Sequence, residues 1–135
     1  MIGLARVFLA KIVLTFLLWC IPLLLFPASV LTSLGFPVPE PQVFLRLLGT
    51  AYVALVVGYA FALRAISRDE YPASAVWVGI VSNGGAFLIL IVAAYFGAWA
   101  SWGALARLFM WASLAATGAV TAALILFGRG KTRKS

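Results

Sequence analysis

Four long apolar blocks, at about 12–32, 43–66, 73–97 and 103–127, dictate the solvent this chain can fold in. An α-helix rises 1.5 Å per residue, so about 20 apolar residues cross the hydrocarbon of a bilayer. Each block is long enough. A soluble domain carries about a quarter charged residues; here charged residues are 10% and hydrophobic ones 65% of 135. A core of this size could not hide so much apolar surface. The expected architecture is all-α: one integral membrane domain over 1–135, a four-transmembrane-helix antiparallel bundle.

The first block is the least regular. Pro22 and Pro27 each remove a backbone donor and free a carbonyl one turn earlier, and in lipid that carbonyl needs another helix, a side chain or a water. The sequence predicts a helix from about Leu9 to Phe26, kinked at the prolines, then a short piece near Ala28–Leu34, so that the first span covers about 9–32. The alternate prolines of Gly35-Phe36-Pro37-Val38-Pro39-Glu40-Pro41 force extended backbone. Ser67–Pro72 and Gly97–Gly103 are the other two connections. Short loops imply antiparallel neighbours.

The net charge of +7 does not point to nucleic acid, because its cations flank the spans. Such clusters set topology and touch anionic lipid. Arg6, Lys11, Arg64, Arg68 and the tail over 128–135 (Arg129, Lys131, Arg133, Lys134) would share one side; Arg46 and Arg107 would lie on the other. The positive-inside rule then places both termini in the cytoplasm. Trp99 and Trp102 would sit in the outer interfacial belt, Trp77 and Tyr71 in the inner one. Trp19 lies too deep for either. Cys20 is the single cysteine, so no intrachain disulfide can form. Trp19 before Cys20 rules out a lipoprotein box. No small-x-small cleavage site comes after the first block, which implies a retained span rather than a signal peptide.

The chain has no histidine, which removes Ser-His-Asp and Cys-His catalysis, histidine zinc sites and histidine-ligated haem. Its only acids, Glu40, Asp69 and Glu70, lie in predicted loops. Proton-coupled carriers usually need a carboxylate within the membrane. No phosphate loop or HExxH motif is present. These exclusions lean away from an enzyme.

Arg46 and Arg107 stand out, each one turn inside a helix N-terminus, where a cation opposes the macrodipole. An anion between them is expected: Glu40, a lipid phosphate or an acidic ligand head. The competing reading is that both side chains snorkel to the interface. Asn83, mid-way along the third block in Ser82-Asn83-Gly84-Gly85, wants a partner on another helix; Thr50, Tyr59 and Thr117 are the candidates. Tyr52, Val56, Tyr59 and Leu63 share a helix face. With Trp19, Phe61 and Phe87 they would line an aromatic cavity for a quinone, a pigment or a sterol-like lipid, though such stripes also serve as plain core. Ala112, Ala116, Ala119 and Ala123 form a small-residue stripe suited to close helix packing within the bundle or against a second copy.

The stretch from Phe36-Pro37-Val38-Pro39-Glu40-Pro41 to Phe44-Leu45-Arg46-Leu47-Leu48-Gly49 resembles small bacterial four-helix membrane proteins of the DoxX-like and BphX-like groups. Tyr59 and the Arg64–Arg68–Asp69 turn fit the same pattern. The resemblance implies a four-helix fold in a bacterial inner membrane. DoxX-type proteins are linked to quinone-dependent sulfur oxidation, and no redox motif here carries that over. The expectation is a non-enzymatic subunit or binding module for a lipid-like or aromatic molecule. Arg46, Arg107 and Glu40 would hold a polar head, with Asn83, Tyr52, Tyr59 and Trp19 deeper. A dimeric transporter and a quinone-linked oxidoreductase subunit are the alternatives. The expected partners are membrane lipids and a homodimer or larger membrane complex, with no metal and no required cofactor.

Overall fold

The computed structural model describes residues 1–128. Beyond Gly128, the basic tail lies outside the described residues. Among them every regular element is helical. The first span runs over Ile2–Leu25 as α1 (Ile2–Thr15), a π-helical turn (Phe16–Cys20) and α2 (Ile21–Leu25). A short α3 (Ala28–Ser33) comes next, then three long helices: α4 (Val43–Ile66), α5 (Ala73–Tyr95) and α6 (Ala104–Gly128).

The first span therefore starts about seven residues before the predicted Leu9. Arg6 and Lys11, expected ahead of the membrane, are inside a helix long and apolar enough to cross it. The π-turn stands immediately before Ile21-Pro22, where the regular bonding pattern must change because Pro22 has no N–H. Phe26 is extended, with φ −74° and ψ 129°, as the residue before a proline prefers. That ends the span at Leu25 and separates α3 from it.

Four residues from four helices fix the direction of each span. Leu4 near the start of α1, Ala62 near the end of α4, Val76 near the start of α5 and Leu124 near the end of α6 meet in one buried cluster with Phe8 and Tyr59. Starts and ends alternate, so the bundle is antiparallel, up-down-up-down. Around it the helices pack in the order α4, first span, α6, α5, and α4 touches α5 only lightly. The Tyr59 hydroxyl, 3.2 Å from Ser82 Oγ, is the polar link across that thin seam.

Burial differs from that of a water-soluble domain in how much apolar surface stays on the outside. Thr15, Asn83 and Ser113 are buried, while Leu126 is 73% and Ile89 71% exposed. The interior is mainly apolar with a few polar side chains, and the outer faces are apolar too, as expected where hydrocarbon rather than water surrounds the bundle. The protein is a small multi-pass membrane protein.

Candidate functional site

Two adjoining cavities lie along the first span and α6. The larger, ≈ 680 Å³, is walled by the π-turn and α2, by α3 and the proline loop, and by α4 and α6. Apart from the Trp19 and Trp102 indoles its wall side chains are hydrocarbon or thioether: Phe26, Phe36, Phe109 and a set of leucines are typical. The smaller, ≈ 280 Å³, is lined by Lys11, Thr15, Asn83, Ser113 and Thr117 among apolar neighbours. Leu18, Trp19, Phe109 and Ala112 border both. Trp19 and Phe109, with ring centroids 5.1 Å apart, form the partition.

Lys11 is the residue that sequence reasoning missed. It lies nine residues past Ile2, roughly 14 Å along the helix axis, level with the middle of α5. Its Nζ donates to Asn83 Oδ1 at 2.6 Å and sits 5.4 Å from the Tyr59 ring centroid. The amide Nδ2 of Asn83 donates in turn to the Gly79 carbonyl at 2.7 Å and to Ser82 Oγ at 3.3 Å. Asn83 thus has an interhelical partner, but it is a cation rather than Thr50, Tyr59 or Thr117. Thr50 bonds back to the Arg46 carbonyl and Thr117 to the carbonyls of Ser113 and Leu114. Tyr59 is linked to Asn83 through Ser82. A signal was present in the sequence: Val7-Phe8-Leu9-Ala10 before Lys11 is as apolar as Ile12-Val13-Leu14 after it.

Arg46 does different work from that expected. Its guanidinium donates to Leu23 O at 2.7 Å, Phe26 O at 2.8 Å and Gln42 Oε1 at 3.1 Å. Leu23 O is the carbonyl that Pro27 deprives of an N–H, so Arg46 is the side chain that closes the break at the end of the first span. Glu40 is exposed and does not take part. Arg107 is exposed on α6, and among the described residues its side chain makes no hydrogen bond to protein. Neither arginine borders either cavity.

The aromatic set divides. Trp19 borders both cavities and packs against Tyr52 at 5.3 Å. Tyr59 is buried in the core cluster, stacked on Phe8 at 5.5 Å. Phe61 is 65% exposed, and Phe87 packs against Gly118. Trp99, in the connection between α5 and α6, is buried against Trp111, whereas Trp77 is exposed. In the alanine stripe, Ala112, Ala116 and Ala119 are exposed and Ala123 half-buried. Contacts between α5 and α6 fall instead on Gly79–Leu124, Gly84–Thr121 and Phe87–Gly118.

The Lys11–Asn83 pair makes a stability prediction. Asn83→Leu removes the acceptor from a half-buried ammonium and is expected to cost about 2–4 kcal/mol. Adding Lys11→Met to the same chain should recover most of that, read from unfolding in mixed micelles. A double variant as unstable as Asn83→Leu alone would show that the two side chains are not coupled.

No protein-family model matches the chain, and no curated protein or solved structure was found similar to it. The resemblance to the DoxX-like groups rests on the sequence motif alone, whose Arg46 is here a ligand of backbone carbonyls.

Proposed function

We propose that this protein is a non-enzymatic binding module of the bacterial inner membrane, with both ends cytoplasmic, that takes up a lipid-like or aromatic molecule. One observation carries the reading: a cavity of ≈ 680 Å³ with an apolar wall between helices of a small bundle. That volume falls within the range of about 300–1,000 Å³ typical of small-molecule pockets. Apolar side chains with a few convergent polar groups at one end form the usual lining of such a site. The missing histidines and the loop placement of all three acids support a binding role over catalysis.

Ala112 tests the reading, because it is small, exposed and borders both cavities. Ala112→Trp should fill the junction without disturbing the buried cluster of Leu4, Phe8, Tyr59 and Leu124. Gently purified parent protein is expected to carry a stoichiometric small molecule in its organic extract, and the variant to have lost it at unchanged thermal stability. Identical extracts from the two proteins, matching the bulk lipid of the host membrane, would overturn the proposal.

A further inference from the structure

Among the described residues, no acidic side chain meets Lys11. The three acidic side chains all lie in the loops between helices. Asn83 Oδ1 supplies a dipole at 2.6 Å and Tyr59 a ring face, but neither supplies a negative charge. An ionisable side chain this deep in a membrane bundle marks a functional site by default, with a counter-charge to be named. An ammonium has three donors. One is used by Asn83, and Lys11 also borders a chamber that holds the hydroxyl-bearing Thr15, Ser113 and Thr117. That chamber shares Leu18, Trp19, Phe109 and Ala112 with the apolar cavity.

We infer that the ligand is a single-chain carboxylate amphiphile, whose carboxylate is held by Lys11 in the small chamber while its hydrocarbon chain lies past Trp19 in the large one. This rests on the binding role proposed above and adds the chemistry of the head group. Charge selects the head: the site offers a cation lacking an anion, so a carboxylate gains a charge-assisted hydrogen bond that an ester or alcohol cannot match. Shape selects the tail. The walls beyond Trp19 offer almost no polar group, and the axial distance from Lys11 to Trp19 is about 12 Å, long enough to pass the first half of a fatty acyl chain alongside the partition. The Trp19 ring therefore lies beside mid-chain methylenes.

Stearate brominated at mid-chain, which quenches indole fluorescence on contact, is the probe. It is titrated in detergent micelles into protein in which Trp77, Trp99, Trp102 and Trp111 are replaced by phenylalanine, leaving Trp19. The acid is expected to quench saturably. Its methyl ester should bind about ten-fold or more weakly, and Lys11→Met should weaken the acid by a similar factor while leaving the ester unchanged. Lys11→Arg, which keeps the charge, should restore most of the affinity. Equal binding of acid and ester overturns the head-group inference and leaves the apolar cavity standing as a binding site. Quenching by neither beyond that of free tryptophan octyl ester in the same micelles overturns both. The acid–ester comparison uses unaltered Lys11, so it decides the matter even where Lys11→Met fails to fold.

Discussion

Arg46→Leu is expected to destabilise the bundle by about 3–5 kcal/mol, the largest effect of any single polar substitution in the described chain. The guanidinium donates to Leu23 O and Phe26 O, and a hydrogen bond from a charged donor contributes about 1.5–3 kcal/mol. Removing it also strands two carbonyls where lipid offers no substitute donor. Pro27 guarantees that the helix cannot repair itself, because the nitrogen that would normally bond Leu23 O carries no hydrogen. Arg46→Lys should recover no more than about half, since a single ammonium lacks the planar fork that reaches two carbonyls at once. Arg107→Leu should fall within about ±0.5 kcal/mol, as exposed substitutions do. Unfolding by a denaturing detergent in mixed micelles measures all three. Equal, small losses at 46 and 107 would return both residues to snorkelling and remove the account of how the proline break is sealed.

The membrane architecture is legible in the sequence because a bilayer leaves so few choices. Runs as apolar as Val43–Ile66 and Ala73–Tyr95, bounded by Pro41, Pro72 and Gly97, admit only spanning helices, and the structure places α4 and α5 within two residues of the predicted blocks. The first span is harder to read. Charge beside an apolar run signals water, which sets the predicted start after Arg6 and near Lys11. Yet Lys11 is tolerated in the bundle because Asn83 meets it from another helix. Periodicity along one helix cannot reveal a partner 72 residues away.

The same limit explains the candidate site. Asn83 and Trp19 are legible as polar and aromatic residues too deep for an interfacial role, and both border the small chamber. Tyr59 shares a helix face with Tyr52, but that face meets Phe8 at one level and Trp19 at another. One tyrosine is core while the other backs the cavity wall. Arg46 stands out in the sequence for its place at a helix N-terminus. The sequence also shows that Pro27 frees a carbonyl needing a donor. Joining those two facts requires the turn between α2 and α4 that brings residues 23 and 46 together.

Gly35→Ala is the second large expectation, at about 3 kcal/mol with partial loss of the apolar cavity. Gly35 has φ +87°, a region that any side chain enters at a cost of about 1 kcal/mol. A Cβ there would come 2.6 Å from Gly103 Cα. Backbone cannot rotate away as a side chain could, so the proline loop would have to lift off the start of α6. Lifting breaks the bond from Gly103 N to Gly35 O at 3.1 Å, about 1 kcal/mol. It also separates Phe36 from Trp102 and Phe109, whose centroids lie at 6.1 and 5.6 Å, at a further cost of about 0.5–1.5 kcal/mol per pair. Gly97→Ala is the control. Its φ is +67°, yet the nearest atom to a new Cβ is Ala100 Cβ at 3.8 Å, so it should lose only the backbone term of about 1 kcal/mol. The difference between the two variants isolates the close approach of loop to helix. Because Phe36 and Pro37 border the large cavity, Gly35→Ala should also weaken binding of the brominated stearate, and Gly97→Ala should not. Matching stabilities for the two variants would mean that the loop is free to give way and does not wall the cavity.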